Sequence, residues 1–270
     1  MTTLAEVTAA AEQLWPLSGA EEWDAPGLVS GDPAATVTRV LLAVDAVADT
    51  IDEAISIGAG LLLVHHPLLM RGVTTVAQST AKGALLARLI RADCALYSAH
   101  TNADIVATGT SARLAELLGL QDALPIVETV PDAGLGRVGD LPEPTTLGAL
   151  ARRLAGILPP TATGVRVAGE FDHPVSRVAV CGGAGDSLLG DPAVRAADVY
   201  ITADLRHHPA SEAVETARVA GGPALIDVSH WASEWLWLDT AATELRALLP
   251  GVDVVVSELR TDPWDFVVVQ

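Results

Sequence analysis

Seven histidines punctuate the 270-residue chain, and six of them (His65, His66, His100, His207, His208 and His230) sit just beyond a strand-like apolar run. Neutral imidazole is a common metal ligand and a proton carrier near neutral pH. The adjacent pair His65 and His66 lies in LLLVHHPLLM, residues 61–70. Neighbouring side chains on a regular strand point to opposite faces. Both rings can serve one site only if the strand has ended, and Pro67 supplies a reason for it to end. The ordinary alternative is two loop histidines. YSAHTNAD, residues 97–104, offers His100 and Asp104 after another strand. This reads either as an imidazole and a carboxylate aimed into the same mouth, or as a polar turn capped by Thr101 or Asp104. In DVSHWASE, residues 227–234, His230 and Glu234 are four apart at the start of a helix. They share one helical face and can grip a metal in two places. A cap on Ser229, with Glu234 favoured by the helix dipole, explains the serine but not the histidine.

Two further stretches are polar after a strand. ITADLRHHPASE, residues 201–212, carries Asp204, His207 and His208, which could line a cavity, support ligands from outside, or be structural. CGGAGDS, residues 181–187, matches neither GxGxxG nor the P-loop pattern. A tight turn that lets backbone approach a site is the better reading. Ser98 lacks the glycine pattern of a nucleophile elbow. Trp231, Trp235 and Trp237 are core or interface anchors whose crowding suggests a subunit contact.

The positioning elements alternate in an α/β pattern. Strands are expected at 37–44, 60–64 and 94–98, with helices at 49–58, 80–91 and 110–119. Residues 125–145 are rich in Pro, Gly and Asp, which suggests a lobe boundary, giving a first lobe of 1–126 and a second of 127–270. The second lobe should hold a helix at 146–157, strands near 164–169, 177–181, 198–202 and 224–228, and one long helix at 231–248. A final strand at 252–257 could join either lobe. HHP recurs at 65–67 and 207–209, a faint internal echo.

Composition narrows the class. Half of the residues are hydrophobic, yet no uninterrupted apolar run reaches the ~18 residues of a membrane span. Glu6 and Glu12 in an N-terminus without a basic region argue against a signal peptide, so a cytoplasmic protein with no membrane partner is expected. Cys94 and Cys181 lie in apolar runs and should be reduced and buried. A net charge of −18 with Lys82 the only lysine excludes a nucleic-acid-binding role.

Taken in order, LLLVHHPL, YSAHTNAD, CGGAG, ITADLRHH and DVSHWASE span nearly the whole chain, and with them the sequence resembles the GTP cyclohydrolase I type 2 homologues, also called NGG-interacting-factor-like proteins. The resemblance implies two α/β lobes with a dinuclear metal site in the cleft between them. It implies His65, His66, Asp104, His230 and Glu234 as ligands to two divalent ions per subunit, with Glu234 bridging and His100 beside the site; on a hydrolase reading Glu234 and His100 are the catalytic residues, His100 as a proton shuttle. It also implies a ring-shaped homohexamer. Ser229 and Ala103 depart from the family pattern, and neither is a ligand. The mixed N/O donor set suits Zn, Fe, Mn, Co or Ni. The leading expectation is a metal-dependent hydrolase, of cyclohydrolase or phosphoester type, using a hydroxide shared by both ions on a small-molecule substrate such as a nucleotide or phosphoester. The alternatives are a non-enzymatic metal-binding, metal-delivery or scaffold protein, and a nucleotide-binding module built on the CGGAG turn.

Overall fold

A computed structural model describes residues 1–130 and 133–269. The chain divides into two compact units, Met1–Ala103 with Leu238–Thr261, and Asp104–Trp237 with Asp262–Gln270.

Unit 1 contains α1 (Leu4–Leu14), β1 (Gly27–Ser30), β2 (Arg39–Ala43), α2 (Ala48–Ser56), β3 (Leu61–Val64), α3 (Ala81–Arg91) and β4 (Ala95–Ser98), and later in the chain α10 (Leu238–Leu248) and β13 (Asp253–Val256). The sheet order is β1-β4-β3-β2-β13. All pairs are parallel except β1 with β4. Every residue of β3 and β4 is buried, which is why these segments read as unbroken apolar runs rather than alternating ones. Leu41, Leu62, Val64 and Leu96 pack with Ile51 of α2 and Leu89 of α3 in one core. The register sets Ala43 beside Val64 and Val64 beside Ser98. Three strands therefore end level, and the polar residues that follow them emerge at one edge. Open α/β sheets collect binding groups there.

The short α4 (Thr101–Asp104) carries the chain across the division. Unit 2 then holds α5 (Thr110–Leu117), β5 (Gln121–Leu124), β6 (Val127–Val130), β7 (Ala133–Leu135), β8 (Arg137–Thr146), α6 (Leu147–Ile157), β9 (Arg166–Ala168), β10 (Pro174–Ala184), α7 (Pro192–Arg195), β11 (Val199–Ala203), α8 (His207–Ala220), β12 (Ala224–Val228) and α9 (His230–Trp235). Its main sheet runs β5-β8-β10-β11-β12-β9, with β6 and β7 forming a separate two-stranded ribbon. β10, β11 and β12 are parallel. Ala179, Tyr200 and Leu225 from these strands pack with Val194 and Ala197 in the unit's core.

Three expectations are corrected. The division falls at Ala103/Asp104 rather than after residue 126, and residues 238–261 belong to unit 1, where β13 pairs with β2. The described residues of the Pro/Gly/Asp-rich stretch form mainly strands, β6, β7 and β8, within unit 2 rather than a lobe boundary. Pro142 and Pro144 are tolerated because β8 loses regular register against β10 between Asp140 and Thr145, where they lie. The helix expected at 231–248 is two helices. At the break Trp237 N donates to Glu234 O at 3.0 Å, a tighter i→i+3 turn, and the chain passes there from one unit to the other.

Candidate metal centre

In unit 1, His65 and His66 follow β3 and His100 follows β4. His65 is fully buried, and its Nδ1 lies 2.8 Å from the Ala99 carbonyl oxygen. A carbonyl can only accept, so Nδ1 carries the proton and Nε2 of the neutral ring carries the lone pair. His66 Nδ1 meets Asp45 Oδ1 at 2.7 Å, and Asp45 also accepts from Thr261 Oγ1. His100 Nδ1 meets Asp24 Oδ1 at 2.8 Å. Asp24 further accepts from the Thr101 amide at 3.1 Å and from Thr101 Oγ1. Burial pushes the Asp24 carboxyl up, but the hydrogen bonds from His100 and Thr101 outweigh it and hold the group below its ordinary range. The three rings have centroids 5.0, 5.2 and 5.6 Å apart, and one nitrogen from each falls within 4.8 Å of the others. Two consecutive histidines can converge because regular alternation has ended: the successive amides His65 N and His66 N both bond back to the same neighbouring segment, at Ala43 O and Val44 O, past the end of β3.

In unit 2, His230 opens α9 and Glu234 lies one turn on. His230 Nε2 is 2.9 Å from Glu234 Oε1, and its Nδ1 is 2.8 Å from Asp204 Oδ2. Burial disfavours the imidazolium, but Glu234 and Asp204 outweigh it and push the ring up to about 11. Glu234 is 3% exposed, and a carboxylate so buried needs a positive partner. Ser229 is the N-cap, accepting from Ala232 N at 3.2 Å and donating to Asp262 at 2.6 Å. The cap and the His/Glu pair therefore coexist. Asp104 accepts from Thr110 Oγ1 at 2.5 Å.

Residues 181–184 of the glycine stretch are the end of β10 rather than a turn, yet they do bring backbone to His230 and Glu234. Gly183 has φ +68°, and its amide donates to Ser233 Oγ at 2.9 Å. A Cβ there would stand 2.4 Å from Glu234 Oε1 and 3.2 Å from His230 Nε2. Only glycine meets both conditions.

Of the residues expected from the sequence, His65, His66 and His100 are brought together in unit 1, so His100 stands within the imidazole cluster. His230 and Glu234 are paired in unit 2, and Asp204 supports His230 from outside. His207 and His208 stand exposed in the first turn of α8, ring to ring at 5.2 Å. Cys94 and Cys181 are free and buried. The tryptophans are spent mostly inside the chain, since Trp231 is 5% and Trp237 0% exposed. Sequence reasoning missed Asp24 and Asp45. Asp45 had a signal, being a carboxylate at the end of an apolar strand; Asp24 had none.

The chemistry of the set fits divalent cations. All four histidines commit Nδ1 to an oxygen, three of them to a carboxylate. That arrangement fixes the tautomer and raises the basicity of Nε2 in metal-ligating histidines.

Residues 2–263 match the model of the Duf34/NIF3 (NGG1p interacting factor 3) family. A Streptomyces coelicolor protein named GTP cyclohydrolase 1 type 2 homolog is 48% identical over 98% of this chain and 94% of its own length. A Bacillus cereus protein related to NIF3 shares the fold at a TM-score of 0.90 and 24% identity, covering 98% of this chain and 99% of that one. Staphylococcus aureus protein SA1388 superposes at a TM-score of 0.86 with 27% identity and the same coverage.

Proposed function

Because this chain belongs to the Duf34/NIF3 (NGG1p interacting factor 3) family, we propose that it binds two divalent metal ions per subunit and is a metal-dependent hydrolase of cyclohydrolase or phosphoester type. The observation that carries this reading is the shared Nδ1-to-oxygen pairing of His65, His66, His100 and His230. His65 and His66 of unit 1 and Asp104, His230 and Glu234 of unit 2 would supply the donors that hold the ions. When bound, such ions polarise a substrate oxygen and make an attacking water acidic at neutral pH. His100 would exchange a proton at Nε2, since its Nδ1 is committed to Asp24. Burial of Glu234 and the close backbone of Gly183 keep bulk water from the carboxylate. The donors suit Zn, Fe, Mn, Co or Ni. The substrate in this reading is a small molecule, and the name of the Streptomyces relative directs the first screen to GTP. A cytoplasmic homohexamer completes the proposal.

Metal content tests it. Protein purified without a metal-affinity tag should hold about two transition-metal equivalents per subunit by mass spectrometry, and a His65→Ala/Glu234→Ala variant should lose them. Wild type that is metal-free and takes up no added divalent ion would sink the reading. Two equivalents with no turnover across GTP and phosphoester panels would favour metal delivery or a scaffold over hydrolysis.

A further inference from the structure

We propose that Trp23 is a stacking platform for a flat heteroaromatic ring of about purine size, which binds beside His100. Trp23 is 59% exposed, so its indole is open to a ligand from solvent. Its loop is nevertheless pinned on both sides. Glu21 N donates to Thr101 Oγ1 at 3.0 Å, and Asp24 N closes a turn on Glu21 O at 3.0 Å. Asp24 then takes His100 Nδ1 at 2.8 Å and the Thr101 amide at 3.1 Å, and its Oδ1 also accepts from Ala25 N at 2.7 Å. The indole meets the His100 ring edge to face, with centroids 5.9 Å apart and planes 81° from parallel. These anchors fix the backbone on either side of the indole, so less of the loop's freedom remains to be lost when a ligand arrives. Such a surface suits stacking, which accepts any ring with a π-face. The contact with His100 ties it to the imidazole cluster. A ring lying on the indole would therefore place its substituents toward the histidines.

The inference rests on the metal-centre reading, and the test separates the two. GTP, ATP, UTP and inorganic tripolyphosphate are titrated by calorimetry into wild type, Trp23→Ala and Trp23→Phe. Metal content and sedimentation velocity are measured on the same preparations. The nucleotides share the polyphosphate with the control and add only sugar and base. Wild type should bind at least one nucleotide tighter than tripolyphosphate by about tenfold or more, the scale of one stacked base. Trp23→Ala should lose most of that margin while keeping metal, assembly size and tripolyphosphate affinity. Trp23→Phe should keep most of it. A nucleotide margin unchanged in Trp23→Ala overturns the platform, as does a wild type that prefers none of the three nucleotides. Equal loss of nucleotide and tripolyphosphate also overturns it, and so does a smaller assembly in Trp23→Ala, which would make the indole a subunit contact. Metal-free wild type that still prefers a nucleotide would sink the metal reading and leave the platform standing.

Discussion

Asp204 sits directly after β11 with φ +54°, a left-handed conformation that aspartate tolerates better than most residues. That backbone delivers its carboxylate to His230 Nδ1, although the side chain itself is exposed. Asp204→Asn keeps the shape and the preference for this conformation but removes the charge. It should lower metal affinity by about 10–100-fold with little change in thermal midpoint; competition against a chromophoric chelator measures the first and calorimetry the second. At this scale the sequence was informative about donors and poor about their supporters. His65, His66, His100, His230 and Glu234 announce themselves by type and spacing. Asp24 reaches His100 from 76 residues away, and nothing local marks it. Asp45 reaches His66 across 21 residues, from the end of the neighbouring strand, and only the strand register brings them side by side.

β4 illustrates what complete burial does to an element. Burial pushes the Cys94 thiol, just before the strand, up to about 11, with a small opposing hydrogen bond from the Leu62 backbone. Burial and the charge of Glu12 push the Tyr97 hydroxyl up to about 12. Both groups stay protonated in the folded chain at a pH where the unfolded chain has begun to lose those protons. Between about pH 9 and 11 the folded state thus holds the extra proton at Cys94, and stability falls as pH rises. Cys94→Ala should flatten that alkaline slope in urea titrations run from pH 8 to 11, and the wild-type thiol should resist alkylation until unfolding. Elements of this kind were the most legible part of the sequence, because an unbroken apolar run between polar turns has few other meanings. β8 was the least legible. Its prolines and glycine read as a connector, and only the irregular pairing with β10 makes room for them. The helix break at Leu236–Trp237 was equally hidden, since the apolar pattern continues through it.

Over the whole molecule the net charge of −18 dominates. Self-repulsion of that size destabilises a compact state and is screened over about 10 Å at 0.1 M salt. The thermal midpoint should therefore rise as sodium chloride goes from 10 to 200 mM, whereas a chain held mainly by surface ion pairs would lose stability. The exposed Arg39–Asp253 pair at 2.7 Å is the sort of contact that salt weakens, and it is worth little on its own. The division into units was the part of the architecture the sequence concealed most. Composition along the chain does not reveal that residues 238–261 return to the first sheet, because the strand they supply looks like any other.

That return governs the order in which the protein can be made. β13 closes on β2 through partners such as Arg39 and Asp253, 214 positions apart. At about 5–20 residues per second, roughly 10–40 s of translation separate the two. Through that interval β2 has β3 on one flank and an open ladder on the other, an edge of the kind that invites pairing with another chain. Residues 104–237 emerge entirely within the wait. The main sheet of the second unit, though not its closing segment Asp262–Gln270, can thus form while the first still lacks its last strand, and the nascent chain is most exposed to misassembly at the sheet whose strand ends carry the three clustered histidines.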